Sequence, residues 1–200
     1  MTAGASSPPP LHPPRVKPVA RPFHHRIAPW LALPLLVSLT TGLAYRIGRS
    51  WFAMDKPTGQ KILDVHTGTV LGEIPSHFYV AATGLGLLGL ALSGAWLLVK
   101  SRAPSGPRRL HRLAAWVVLV PLIATASTGL GYHFGEAWLG LDAKTLKLLM
   151  NIHQGSWLGP TYRPFYVLLV GLGLLWLVVS GLGMLRKKPA LAAKPAEPTR

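Results

Sequence analysis

The chain has 200 residues, half of them apolar and only 14% charged, with a net charge of +15 and no cysteine. The missing cysteines exclude disulfides, thiolate metal sites, iron–sulfur clusters and covalently attached c-type haem. The excess of basic residues is gathered into separate segments between apolar runs rather than spread over one face, which excludes nucleic acid as a partner.

In chain order, residues 1–22 hold seven prolines and few apolar groups, the composition of a disordered Pro-rich tail. Residues 23–99 then carry two stretches free of charged side chains, Ile27–Tyr45 and Phe78–Val99. "KSRAPSGPRR" at Lys100–Arg109 is a short basic linker. Residues 110–188 repeat the arrangement with Leu113–Tyr132 and Pro164–Leu185, and 189–200 form a second disordered basic tail. At about 1.5 Å per residue, each uncharged stretch spans a hydrocarbon layer of roughly 30 Å. The first is too long for a signal-peptide core and no A-x-A-like site follows it, so it is expected to stay in the membrane. The sequence therefore predicts an all-α membrane protein with four transmembrane helices.

The two long connections, 46–77 and 133–163, are not featureless. Leu146, Leu149, Met150 and His153 fall at i, i+3, i+4 and i+7, and Ile62, Leu63 and His66 take matching places in the first. This spacing predicts short amphipathic helices in the outer loops. Trp51 and Trp138 close a Y-x-x-G-x-x-W phrase in each and read as interfacial anchors.

Charge fixes the expected orientation. Fourteen of the 21 Lys and Arg lie before Ile27, between the second and third stretches, or after Leu185, with only Glu197 among them. The other two connections hold seven bases and five acids. The positive-inside rule then predicts that both termini are cytoplasmic.

The sequence also repeats itself. Shifted by 87 residues, "HTGTVLG" (His66–Gly72) meets "HQGSWLG" (His153–Gly159), and "FYVAATGLGLLGLALSG" (Phe78–Gly94) meets "FYVLLVGLGLLWLVVSG" (Phe165–Gly181). Over 63–98 against 150–185, 16 of 36 residues are identical. Two tandem helical hairpins in parallel orientation, related by an axis along the membrane normal, are expected. The repeat also sorts the histidines. His66 pairs with His153, and with a one-residue slip "HRIAPW" (His25–Trp30) pairs with "HRLAAW" (His111–Trp116). His12, His24, His77 and His133 are left unpaired by this alignment. Equivalent residues approach one another across a two-fold axis, so His25 with His111 and His66 with His153 would give one imidazole pair near each membrane face. Two such pairs suit two bis-imidazole b-type haems. The dense glycines of the even-numbered helices fit close helix packing or a flat ligand resting on backbone.

"LHRLAAW…TGL" followed by "IHQGSWLG…FYVLLVGLGLLWLVVSGLGML" resembles the PepSY-associated transmembrane family of bacterial inner-membrane proteins, and "ILDVHTGTVLGEIP" resembles the end of a PepSY module. The likeness covers about 23–188. Larger relatives in that family include iron-regulated proteins and ferrisiderophore reductases carrying haem b. The resemblance implies haem-based electron transfer with His25, His66, His111 and His153 as axial ligands of the iron. This chain is shorter than those relatives and has no full PepSY domain between its helices.

The expectation is an electron-transfer subunit of the oxidoreductase class in contact with the lipid bilayer. It would take electrons from a quinol or partner reductase and pass them to a periplasmic acceptor such as a ferric complex. With no G-x-G-x-x-G opening a helix, a partner must supply the electrons. The alternative is a non-enzymatic accessory or scaffold subunit without cofactor. A metal or cation transporter is opposed by the lack of Asp and Glu within the spans, and a hydrolase by the lack of H-E-x-x-H and G-x-S-x-G.

Overall fold

A computed structural model of the chain describes residues 20–100 and 107–186. The tails as far as residue 19 and from residue 187, most of the basic linker and His12 lie outside the described residues. Among those described there are six α-helices and no strand: α1 (Ala20–Trp51), α2 (Lys56–Thr67), α3 (Glu73–Lys100), α4 (Pro107–Ala137), α5 (Ala143–His153) and α6 (Gly159–Arg186). Helices α1, α3, α4 and α6 are each long and apolar enough to cross a membrane, and the chain is a multi-pass membrane protein. Large apolar side chains face outward along them, Trp30, Leu33, Phe78 and Val120 among the most exposed. In lipid such residues need no protein cover, whereas water would force them inward.

The helices outrun the uncharged stretches. Helix α1 starts at Ala20, inside the segment 1–22 read as a tail, and α4 starts at Pro107, inside the linker 100–109. Pro22 and Pro107 sit in first turns, where a missing N–H costs nothing because the helix has no acceptor for it.

The four long helices form a ring. Helix α1 packs on α3 and α6, and α4 packs on the same two, leaving α1 and α4 on one diagonal. Each repeat is an antiparallel hairpin: His24 near the start of α1 meets Ser93 late in α3, and Tyr79 early in α3 meets Pro34 in mid-α1. The hairpins are exchanged by a pseudo-two-fold axis. A Cβ on Gly84 of α3 would meet Leu130 of α4, and a Cβ on Gly171 of α6 would meet Leu43 of α1. Both glycines and both leucines are 87 residues apart, so the contact is reciprocal.

The short helices are placed by matched caps. Asp55 accepts from the Thr58 N–H at the start of α2, and Asp142 accepts from the Lys144 and Thr145 N–H groups at the start of α5. After each helix the chain turns through a left-handed glycine, Gly68 (φ 74°) and Gly155 (φ 66°). A side chain there would also strike Tyr79 or Tyr166, so only glycine lets the backbone reverse this close to the bundle. Helix α2 lies on α1 and α5 on α4. Their apolar faces are directed at the bundle, with Leu149 beside Gly131 and Leu146 beside Gly135.

Candidate functional site

The caps and glycine turns bring the last histidine of each short helix inward from opposite corners of the ring. The His66 and His153 rings meet edge to face, with centroids 6.5 Å apart and planes inclined by 62°. His66 Nδ1 lies 2.9 Å from the Ser38 carbonyl oxygen, and His153 Nδ1 lies 2.9 Å from that of Thr125. A carbonyl only accepts, so each Nδ1 carries the proton and each Nε2 keeps its lone pair. Burial, and then the neighbouring His153 charge, push the His66 pKa down to about 4. Burial likewise lowers that of His153. Both imidazoles are therefore neutral at pH 7.

Glycine makes room for both rings. A Cβ at Gly42 would lie 3.2 Å from His66 Cε1, and one at Gly129 would lie 2.8 Å from His153 Cε1. Between the rings is a cavity of about 850 Å³, within the usual range for small-molecule and cofactor sites. Its walls are mostly apolar, including Leu39, Leu87 and Val170, and Arg46, Gln154, His77, His133 and the carboxylates of Asp64, Glu73 and Glu136 also line it.

These residues fit a bis-imidazole haem. Two Fe–N bonds of about 2 Å, with about 1.1 Å from each nitrogen to its ring centre, put the centroids roughly 6 Å apart. The observed 6.5 Å is close to that spacing. Nδ1–H bonds to backbone carbonyls are also how metal-binding histidines are commonly oriented.

At the other end of the bundle the expected pairing changes. His24, not His25, occupies the place equivalent to His111. His24 Nδ1 lies 2.9 Å from Ser93 Oγ, and His111 Nδ1 lies 2.7 Å from Ser180 Oγ. Each pair is 69 residues apart in sequence, and the repeat holds its 87-residue register without the one-residue slip. Ser93 and Ser180 each donate a hydroxyl proton to a carbonyl of their own helix, so they accept from the histidines and leave Nε2 available here too. Gly94 and Gly181 lie against these rings as Gly42 and Gly129 do against the other two. His25 is exposed. Neighbours on a helix point about 100° apart, so when His24 faces α3, His25 cannot. The His66–His153 cavity does not reach this end: neither His24, His25 nor His111 lines it.

The structure also joins two histidines that the repeat left unpaired. His77 Nδ1 and His133 Nε2 are 2.8 Å apart, across α3 and α4 on the cavity wall. Trp138 flanks them, its ring centre 5.3 Å from that of His77. Their positions in the other repeat are held by Pro164 and Arg46, so no symmetry in the sequence could have linked them. Among the described residues, no cluster of three or more His, Asp or Glu is arranged to hold a bare metal ion. No family model, curated protein or solved structure matches the chain.

Proposed function

We propose that this protein is a b-type haem electron carrier of the inner membrane. The observation that carries the reading is the His66–His153 pair: two neutral imidazoles at 6.5 Å, each held by Nδ1, on either side of a mostly apolar cavity. His66 and His153 would hold a haem there, which would supply one-electron chemistry. The chain's own part is to fix both rings, keep them unprotonated and exclude water with aliphatic walls. Among the described residues no group is assigned a catalytic role.

The second haem of the relay is carried over with an altered ligand pair, His24 and His111 in place of His25 and His111. Its support is the repetition of the same device, Nδ1 held by a serine hydroxyl and the ring set against glycine. Fourteen residues of α1 separate His24 from Ser38, so the two pairs stand about 21 Å apart along the bundle. That separation suits passage from a donor on the cytoplasmic side, or a quinol, to a periplasmic acceptor such as a ferric complex. The kinship with PepSY-associated transmembrane proteins belongs to the same proposal and rests on the motifs quoted above.

The test is an oxidised and dithionite-reduced absorption spectrum of the detergent-purified protein, with haem-to-protein ratios for histidine variants. His66→Ala and His153→Ala should each remove one haem and spare the other. His24→Ala and His111→Ala should remove the other, whereas His25→Ala should leave the ratio unchanged. A wild-type protein reconstituted with haemin that shows no Soret band would replace this reading with that of an accessory subunit.

A further inference from the structure

The pseudo-two-fold axis would give the His66–His153 cavity two equal edges, and the sequence makes them unequal. Position 46 is Arg where its repeat equivalent is His133, and position 163 is Arg where its equivalent is Ser76. On the α1–α6 side, half-buried Arg46 lines the cavity, and its Nη2 donates to Gln154 Oε1 at 2.8 Å. Arg163 Nε donates to the backbone oxygen of the same Gln154 at 3.3 Å. The two guanidiniums are close enough to repel one another. Among the described residues neither forms an ion pair with a carboxylate: the other groups near Arg46 are the ring of Tyr45, 5.7 Å away, and a third guanidinium, that of Arg49. On the α3–α4 side stand His77 and His133, with Glu136 near enough to act on His133.

Two like charges gathered around one neutral amide, partly withdrawn from water, cost free energy unless an anion joins them. The helix ends could have carried these arginines apart in solvent. Instead both are tied to Gln154, the residue that caps α5 just after His153.

We propose that Arg46 and Gln154, which line the histidine cavity, form together with Arg163 bonded to Gln154 a carboxylate-binding edge that receives the two propionates of a porphyrin held between His66 and His153. This inference rests on the haem reading above. The shapes correspond: haem b carries both propionates on one margin of an otherwise apolar macrocycle, and this cavity is mostly apolar, with Arg46 and Gln154 in its lining on the α1–α6 side and the carboxylates of Asp64, Glu73 and Glu136 elsewhere in it. Guanidinium groups match carboxylates with paired N–H donors, which a point-charge ammonium cannot do. The arrangement sets the in-plane orientation of the macrocycle. Because Gln154 adjoins His153, it also ties the anion to the position of one axial ligand.

The experiment uses full-length protein freed of haem in detergent and titrated with haemin or with haemin dimethyl ester, whose propionates carry no charge. Wild-type protein should bind haemin about ten- to a hundredfold more tightly than the ester. R46Q and R163Q should bind the two alike, near the wild-type affinity for the ester, and keep the low-spin bis-histidine spectrum. R46K and R163K should recover only part of the preference. Equal wild-type affinity for haemin and ester would overturn the proposal, as it would if a lipid phosphate were the natural occupant. So would R46Q and R163Q variants that keep the full preference for haemin. The ester separates this inference from the reading beneath it: bis-histidine spectra with no acid–ester difference refute the arginine edge alone. Absence of such a spectrum with either ligand refutes both.

Discussion

At the scale of single residues, glycine sets where each imidazole can stand. A methyl group at Gly129 would sit 2.8 Å from Cε1 and 2.9 Å from Nδ1 of His153, while one at Gly42 would sit 3.2 Å from Cε1 of His66. Gly129→Ala must therefore push the His153 ring off its Thr125 carbonyl, and disturbing such an orienting bond costs about 10- to 100-fold in affinity for the metal group. Gly42→Ala should cost less, since a few tenths of an ångström of movement accommodates it. Gly183→Ala is the control, because nothing lies within 4 Å of the added carbon. Haemin titration of the three variants should rank them in that order, and a Gly129→Ala protein binding like wild type would refute this account.

At the scale of elements, α5 delivers His153 to the site and Asp142 holds its first turn. The Asp142 carboxylate accepts from the Lys144 and Thr145 N–H groups and from the Thr145 hydroxyl. The Thr145 bonds keep its pKa below the usual 3.8. The sign follows from linkage: a depressed acid pKa contributes stability that is complete above 3.8 and is lost as the pH falls through the folded value. Asp142→Ala should fray α5 and weaken haemin binding a few-fold, whereas Asp142→Asn, an equally good cap, should not. The acid sensitivity of α5, followed by amide exchange below pH 4, should disappear in Asp142→Asn. Helix α2 depends on Asp55 in the same way, with one bond in place of three.

At the scale of the whole molecule, the bundle is inside out relative to a water-soluble one. Its polar groups converge on the cavity and its large apolar side chains look outward. The orientation we propose rests on charge. The segments joined to the start of α1, the α3–α4 connection and the end of α6 hold 14 bases, against seven in the connections that carry α2 and α5. A reporter fused after Lys188 should be active in the cytoplasm, and one inserted at Gly140 active outside it. The Gly140 loop suits insertion because its backbone is already in a left-handed turn with no atoms pressing on it. A periplasmic signal at the C-terminus would reverse the assignment.

Four spans, two hairpins and two short amphipathic helices were legible in the sequence because length, hydropathy and spacing are local quantities, and the 87-residue repeat is a property of the string itself. The repeat also singled out His66 and His153. It misled at His25, where six similar residues suggested a slip. The uninterrupted 87-residue register already sets His24 opposite His111, and the fold follows that register, placing His24 against Ser93. What only the tertiary structure decided is everything in which the two repeats differ. The His77–His133 contact and the Arg46–Gln154–Arg163 cluster join residues between 9 and 108 positions apart with no counterpart under the repeat. They exist because α1 packs on α6 and α3 on α4, and that packing depends on which faces of separate helices meet, information carried jointly by the whole chain and by no segment of it.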